Sequence, residues 1–143
     1  MRYAESFRDL IVYQTARSVS RRFFEVSKTF PDEEKYSLTD QGRRSSRSIG
    51  AQIAEAWAKR RYERHFVSKL TDADAEQQET QHWVETALDC GYVSERTRDE
   101  LVEELKKTGR MLQSMMDKAE AFCGEPQDRI REQAPGYFVN SEQ

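Results

Sequence analysis

Eight basic side chains, Arg43, Arg44, Arg47, Lys59, Arg60, Arg61, Arg64 and Lys69, crowd residues 43 to 69 against two acidic ones, Glu55 and Glu63. Cations at that density neutralise phosphates by releasing counterions, and Trp57, Tyr62, His65 and Phe66 stand among them as flat faces for stacking, so RNA or DNA is the partner this chemistry suits. The same arginines have an internal use. If two helices form a hairpin turning near residue 60, Arg47 comes opposite Asp74, and Arg43 or Arg44 approaches Glu79. An arginine-carboxylate network of that kind would fix register more than it adds stability, because desolvation offsets much of the attraction. Lys59, Arg60, Arg61 and Arg64 then remain as a basic turn, the candidate nucleic-acid site.

Other constellations are weaker. Glu79-Thr80-Gln81-His82 has the Glu-x-x-His spacing of di-iron bundles, but the second half-site is missing, since the other histidine, His65, has Tyr62 three residues before it. No metal site is expected. A phosphate-binding glycine loop, a nucleophile elbow and a Cys-His pairing at recognisable spacing are all absent from the sequence, so no catalytic residue, cofactor or small-molecule substrate is assigned, and the chain is read as non-enzymatic. Met111, Met115 and Met116 read as core filling. Cys90 and Cys123, placed near opposite ends of one helix, would be separated by about 40 Å, far beyond disulfide reach, and read as reduced thiols.

The elements that must position these side chains follow from apolar spacing. Val12, Ala16, Val19, Phe23, Val26 and Phe30 alternate by four and three, which predicts a first helix over roughly 7 to 28 that Pro31 closes, with Leu10, Tyr13 and Phe24 widening its stripe. Leu38, Gly42, Ser45, Ile49, Ile53 and Ala56 or Trp57 predict a second over 38 to 58. Its stripe of small residues lets a neighbouring backbone come close, although Gly and Ser weaken helix propensity. Phe66, Leu70, Ala73, Gln77, Thr80, Val84 and Ala87 predict a third over 63 to 90, polar at its middle and capped by Gly91. Ser94 is an N-cap for the fourth, whose Leu101, Leu105, Thr108, Leu112, Met115, Ala119 and Phe122 keep heptad spacing up to Gly124. Short connections make neighbours antiparallel, which yields an all-α, up-down-up-down four-helix bundle over residues 1 to 123 with a flexible tail over 124 to 143.

The 143 residues suit one domain, and the net charge of -3 gives no overall bias toward nucleic acid or membrane. Neither a membrane span nor a signal-peptide apolar region is evident, so the chain reads as cytosolic. Residues 72 to 104 hold eleven acidic side chains against Arg96 and Arg98, the reverse of the basic stretch. Head-to-tail contact between such unlike surfaces generates a closed ring when the rotation permits.

Ser48-Ile49, Gln52-Ile53-Ala54-Glu55, Phe66 with Leu70, Glu79, and Asp89-Cys90-Gly91-Tyr92-Val93, in that order after Phe7 to Gln14 and Phe30-Pro31, resemble the four-helix-bundle proteins linked to 23S rRNA intervening sequences. The resemblance covers roughly residues 7 to 122. It implies a bacterial cytosolic protein that assembles into a ring, typically a homopentamer. The chain is similar also to the accessory variability proteins of diversity-generating retroelements, which implies a bundle that binds nucleic acid and a reverse transcriptase. An oligomeric scaffold or adaptor is thus the leading expectation, and nucleic-acid binding through the basic turn the second.

Overall fold

Val12, Ala16, Val19 and Phe23 are all buried, on the inner side of helix α1, Ile11–Ser27. In the computed structural model, which describes residues 4–124, it is followed by α2 (Asp40–Ala58), α3 (Glu63–Asp89) and α4 (Glu95–Asp117), with no strand among the described residues. The tail expected over 124 to 143 lies, beyond Gly124, outside them. α1 packs on α2 and α4, α2 on α3, and α3 on α4, so four seams enclose one core of apolar side chains drawn from every helix. No helix of the described residues is long and apolar enough to cross a membrane.

The first helix starts later than its apolar spacing suggests. Ser6 and Asp9 close a capping box, in which the Ser6 hydroxyl accepts from the Arg8 amide at 3.2 Å and the Asp9 carboxylate accepts from the Ser6 amide at 3.2 Å. That box winds Phe7–Asp9 into a 3-10 turn, and the backbone is extended at Leu10 (φ -72°, ψ 131°) before α1 begins. α2 is entered through a wide π turn, Lys35–Thr39, which buries Leu38 and Thr39. α4 stops at Asp117 rather than continuing to Phe122. A tighter turn, Ala119–Ala121, then brings the Phe122 ring to 5.8 Å from Phe66 in a stacked pair, and the Gly124 amide donates to the Arg60 carbonyl at 2.8 Å. Gly91 ends α3 in the left-handed region (φ 77°), where the Tyr92 amide donates to the Ala87 carbonyl at 2.9 Å.

The polar middle of α3 is satisfied internally, as buried polar groups must be. Ser45 and Thr80 share a hydrogen bond of 2.8 Å across the α2/α3 seam. Gln77 donates to Asp74 at 2.9 Å and accepts from Gln81 at 2.8 Å. At the connector end, the Tyr92 hydroxyl donates to Glu34 at 2.8 Å. That bond, reinforced by burial, pushes the phenol up to about 12.

Candidate functional site

Three of the four seams are closed by ion pairs between helices. Arg44 joins α2 to α3 through Glu79 and, at 3.4 Å, Glu76, and on the same seam Lys69 reaches Glu55 at 3.2 Å. Arg98 of α4 reaches Glu85 of α3 at 2.7 Å. Arg22 of α1 reaches Glu100 and Glu104 of α4 at 2.7 and 3.7 Å. The α1/α2 seam differs. Arg17 and Arg21 on α1 and Arg43 and Arg47 on α2 make no ion pair among the described residues.

What holds two of these arginines is an aromatic ring. The guanidinium of Arg43 lies 4.5 Å and that of Arg47 5.4 Å from the centroid of Phe24, and the Lys28 ammonium lies 4.9 Å from it. Arg43 also donates from Nε to the Ser27 hydroxyl at 2.7 Å. Lys28 has Glu25 at 3.2 Å, which leaves the two arginines on that ring without a counter-charge among the described residues. Cation-π attraction fixes their positions but neutralises neither. Beside them a groove of about 450 Å³ runs between α1 and α2, lined by Arg17, Arg21 and Arg47, by Tyr13, and by Gly50 and Ala51, with no carboxylate in its wall.

Charge divides accordingly. α1 and α2 together hold six basic residues against three acidic ones, a net of +3, whereas α3 and α4 hold seven against thirteen, a net of -6. Because α1 and α2 are packed as neighbours and so are α3 and α4, the two halves face opposite ways.

The residues singled out from sequence fall into separate places. Arg44 and Glu79 meet; Arg47 and Asp74 do not. Asp74 accepts instead from Gln77 and, at 3.3 Å, from Gln78. Hairpin register sets how far along the helices residues lie, but not which way they point. At 3.6 residues per turn, Arg44 stands about 100° round α2 from Arg43, toward α3, while Arg43 and Arg47, one turn apart, turn toward α1. In the turn, Lys59 and Arg64 are exposed, the Arg60 guanidinium lies 3.5 Å from the centroid of Trp57, and Arg61 lies 5.9 Å from that of Tyr62. His82 packs on Trp83, 4.8 Å between rings, while Glu79 is held elsewhere. Arg17 and Arg21 were missed, because a charge count along the chain separates them from Arg43 by more than twenty residues. Their signal is the paired i, i+4 spacing on consecutive helices.

Glu79 also accepts from the Trp83 indole at 3.0 Å. Burial pushes its carboxyl up, but the bonds from Trp83 and Arg44 outweigh that and hold it below the ordinary range. A depressed carboxylate contributes stability above its unfolded value and loses it as pH falls through the folded one. Glu79→Gln is therefore expected to be less stable than the native chain at pH 7, with the gap closing below about pH 4, read as melting temperature against pH. A gap that stays constant to pH 3 would count against this coupling.

A family model described as 23S rRNA-intervening sequence protein matches residues 8–114. Among solved structures, the chain is similar to a protein of unknown function from the S23 ribosomal protein family of Bacteroides thetaiotaomicron. The two are 25% identical, the match covers 75% of this chain and 96% of that one, and the TM-score is 0.68. No curated protein matches.

Proposed function

The chain belongs to the 23S rRNA-intervening sequence protein family, and on that footing we propose that it is a non-enzymatic scaffold or adaptor that works as a homo-oligomer. Each copy is an up-down-up-down bundle. The observation that supports this reading is the division of charge between its two halves, with arginines along the α1/α2 seam that make no ion pair among the described residues and an excess of carboxylates on α3 and α4. Unlike faces on opposite sides favour head-to-tail contact. Such contact closes into a ring when the rotation permits, and a pentamer is the form this reading expects.

Complementary charge supplies specificity and speed of encounter more than raw affinity, so the assembly should be sensitive to salt. Screening shortens from about 10 Å at 0.1 M to about 3 Å at 1 M. Light scattering at micromolar concentration and low salt is expected to give a mass several times the 16.8 kDa of one chain, decreasing as salt is raised. A monomer under the low-salt condition would end the scaffold reading.

A further inference from the structure

We propose that the groove between α1 and α2 is a docking site for the chain's own residues 137–142, with Tyr137, Phe138 and Val139 on its apolar end and Glu142 among its arginines. The groove is graded along its length. At one end the Phe7 and Tyr13 rings meet edge to face, 4.9 Å apart, and Tyr13 lies over Gly50, where a Cβ would stand 3.4 Å from its Cε1. Ala54, one turn on from Gly50, completes that end. At the other end Arg17, Arg21 and Arg47 are exposed and make no ion pair among the described residues. A fitting occupant is apolar first and acidic a few residues later.

The chain holds such a segment and leaves the bundle at the matching end. Beyond the Phe66–Phe122 stack, the Gly124 amide donates to the carbonyl of Arg60, two residues past the end of α2, and Gly124 turns the backbone at φ 98°. Ala54 lies six residues before Arg60, about 9 Å along the helix direction. Residues 125–136 are a tether of twelve residues, whose reach of up to about 40 Å exceeds that distance severalfold. Tyr137-Phe138-Val139 is the apolar run that follows, and after Arg131 the sequence has no base while Glu132 and Glu142 are acidic. Glu142 stands three residues after Val139, about 10 Å in extended chain. Arg17 lies about 6 Å past Tyr13 along α1, and Arg47 about 10 Å past Ala54 along α2, so the order and spacing of the segment match those of the groove. A foreign peptide of the same pattern would lack the tether, which holds the chain's own segment at an effective concentration on the order of 1 mM.

If copies assemble as proposed above, the same arginines face a neighbour's carboxylates, and the docked segment competes with the neighbour. At that effective concentration, a segment with a Kd of about 0.1 mM would fill the groove roughly nine-tenths of the time and weaken association about tenfold. The segment would then set the concentration at which copies associate.

The test compares amide TROSY spectra of the full chain with those of the variant Tyr137→Ser/Phe138→Ser/Val139→Ser/Glu142→Gln, and then titrates that variant with a peptide of residues 132–143. The substitutions are expected to shift the amides of Ser20, Gly50, Ala51 and Ala54, and the peptide to restore them with a Kd of about 0.1 mM. Adding Arg17→Ala/Arg21→Ala/Arg47→Ala to the variant should weaken the peptide about fivefold or more, while adding Lys59→Ala/Arg64→Ala leaves it unchanged. Groove amides that ignore the tail substitutions, or a peptide indifferent to the three arginines, would overturn the site. A contact that disappears on dilution to monomer would overturn docking within one chain. Native mass reads the assembly separately: the tail variant should associate about tenfold more tightly, a monomer that keeps the contact retains the site and ends the scaffold, and an oligomer whose groove ignores the tail does the reverse.

Discussion

Gly42→Ala is expected to destabilise the protein by about 2–3 kcal/mol, a fall in melting temperature of roughly 6–12 °C for a chain of this size. Helix propensity argues the other way, since replacing a mid-helix glycine by alanine ordinarily gains about 1 kcal/mol. Packing decides the sign. A Cβ at position 42 would stand 2.0 Å from Cζ and 2.4 Å from Cε1 of Phe23. Phe23 is itself 1% exposed, so its ring has nowhere to retreat without displacing the core. Gly50→Ala is the control. There the nearest atom is Cε1 of Tyr13 at 3.4 Å, on a partly buried ring, and the substitution should be neutral or stabilising. Thermal melts of the two variants make the comparison, and a Gly42→Ala protein as stable as the native chain would show that α1 and α2 are not in such close contact.

This contact illustrates what could be read from the sequence. Small residues at Gly42, Ser45 and Ser46 announce close approach on one face of α2, and all three are buried. Apolar spacing likewise locates the four helices, because burial of one stripe per helix is what generates the spacing. It does not locate the two turns that interrupt it. The Ser6–Asp9 box wins locally over a continuous α1, and the Phe66–Phe122 stack sits beyond a helix that ends five residues earlier. The site was less legible still. Linear charge density flagged residues 43 to 69 as one cluster, yet folding distributes it: Arg44 and Lys69 are consumed in the α2/α3 seam, Arg60 lies on Trp57, and Arg43 and Arg47 turn to α1 to join Arg17 and Arg21. Azimuth around a helix, invisible in a window count, made that division.

Reversing the seam charge should have the largest functional effect. A single exposed ion pair contributes only about 0–1 kcal/mol, so neutralising one arginine would barely register. Arg17→Glu/Arg21→Glu/Arg47→Glu removes three attractions and sets three carboxylates against an acidic neighbour, and like charges brought together at an interface cost several kcal/mol. A loss of association of at least about 100-fold is expected. The fold should persist, because none of the three is buried, none is ion-paired among the described residues, and the core stripe of α1 is untouched. Circular dichroism and an unchanged melting temperature would establish that persistence, and a variant that fails to fold would mean the seam arginines hold the helices together instead.

The most direct test of the whole account is native mass at micromolar concentration and low salt, measured side by side for the native chain and for that triple variant. The account predicts a multiple of 16.8 kDa for the native chain and a folded monomer for the variant. A native monomer, or a variant that keeps the native mass, would contradict it.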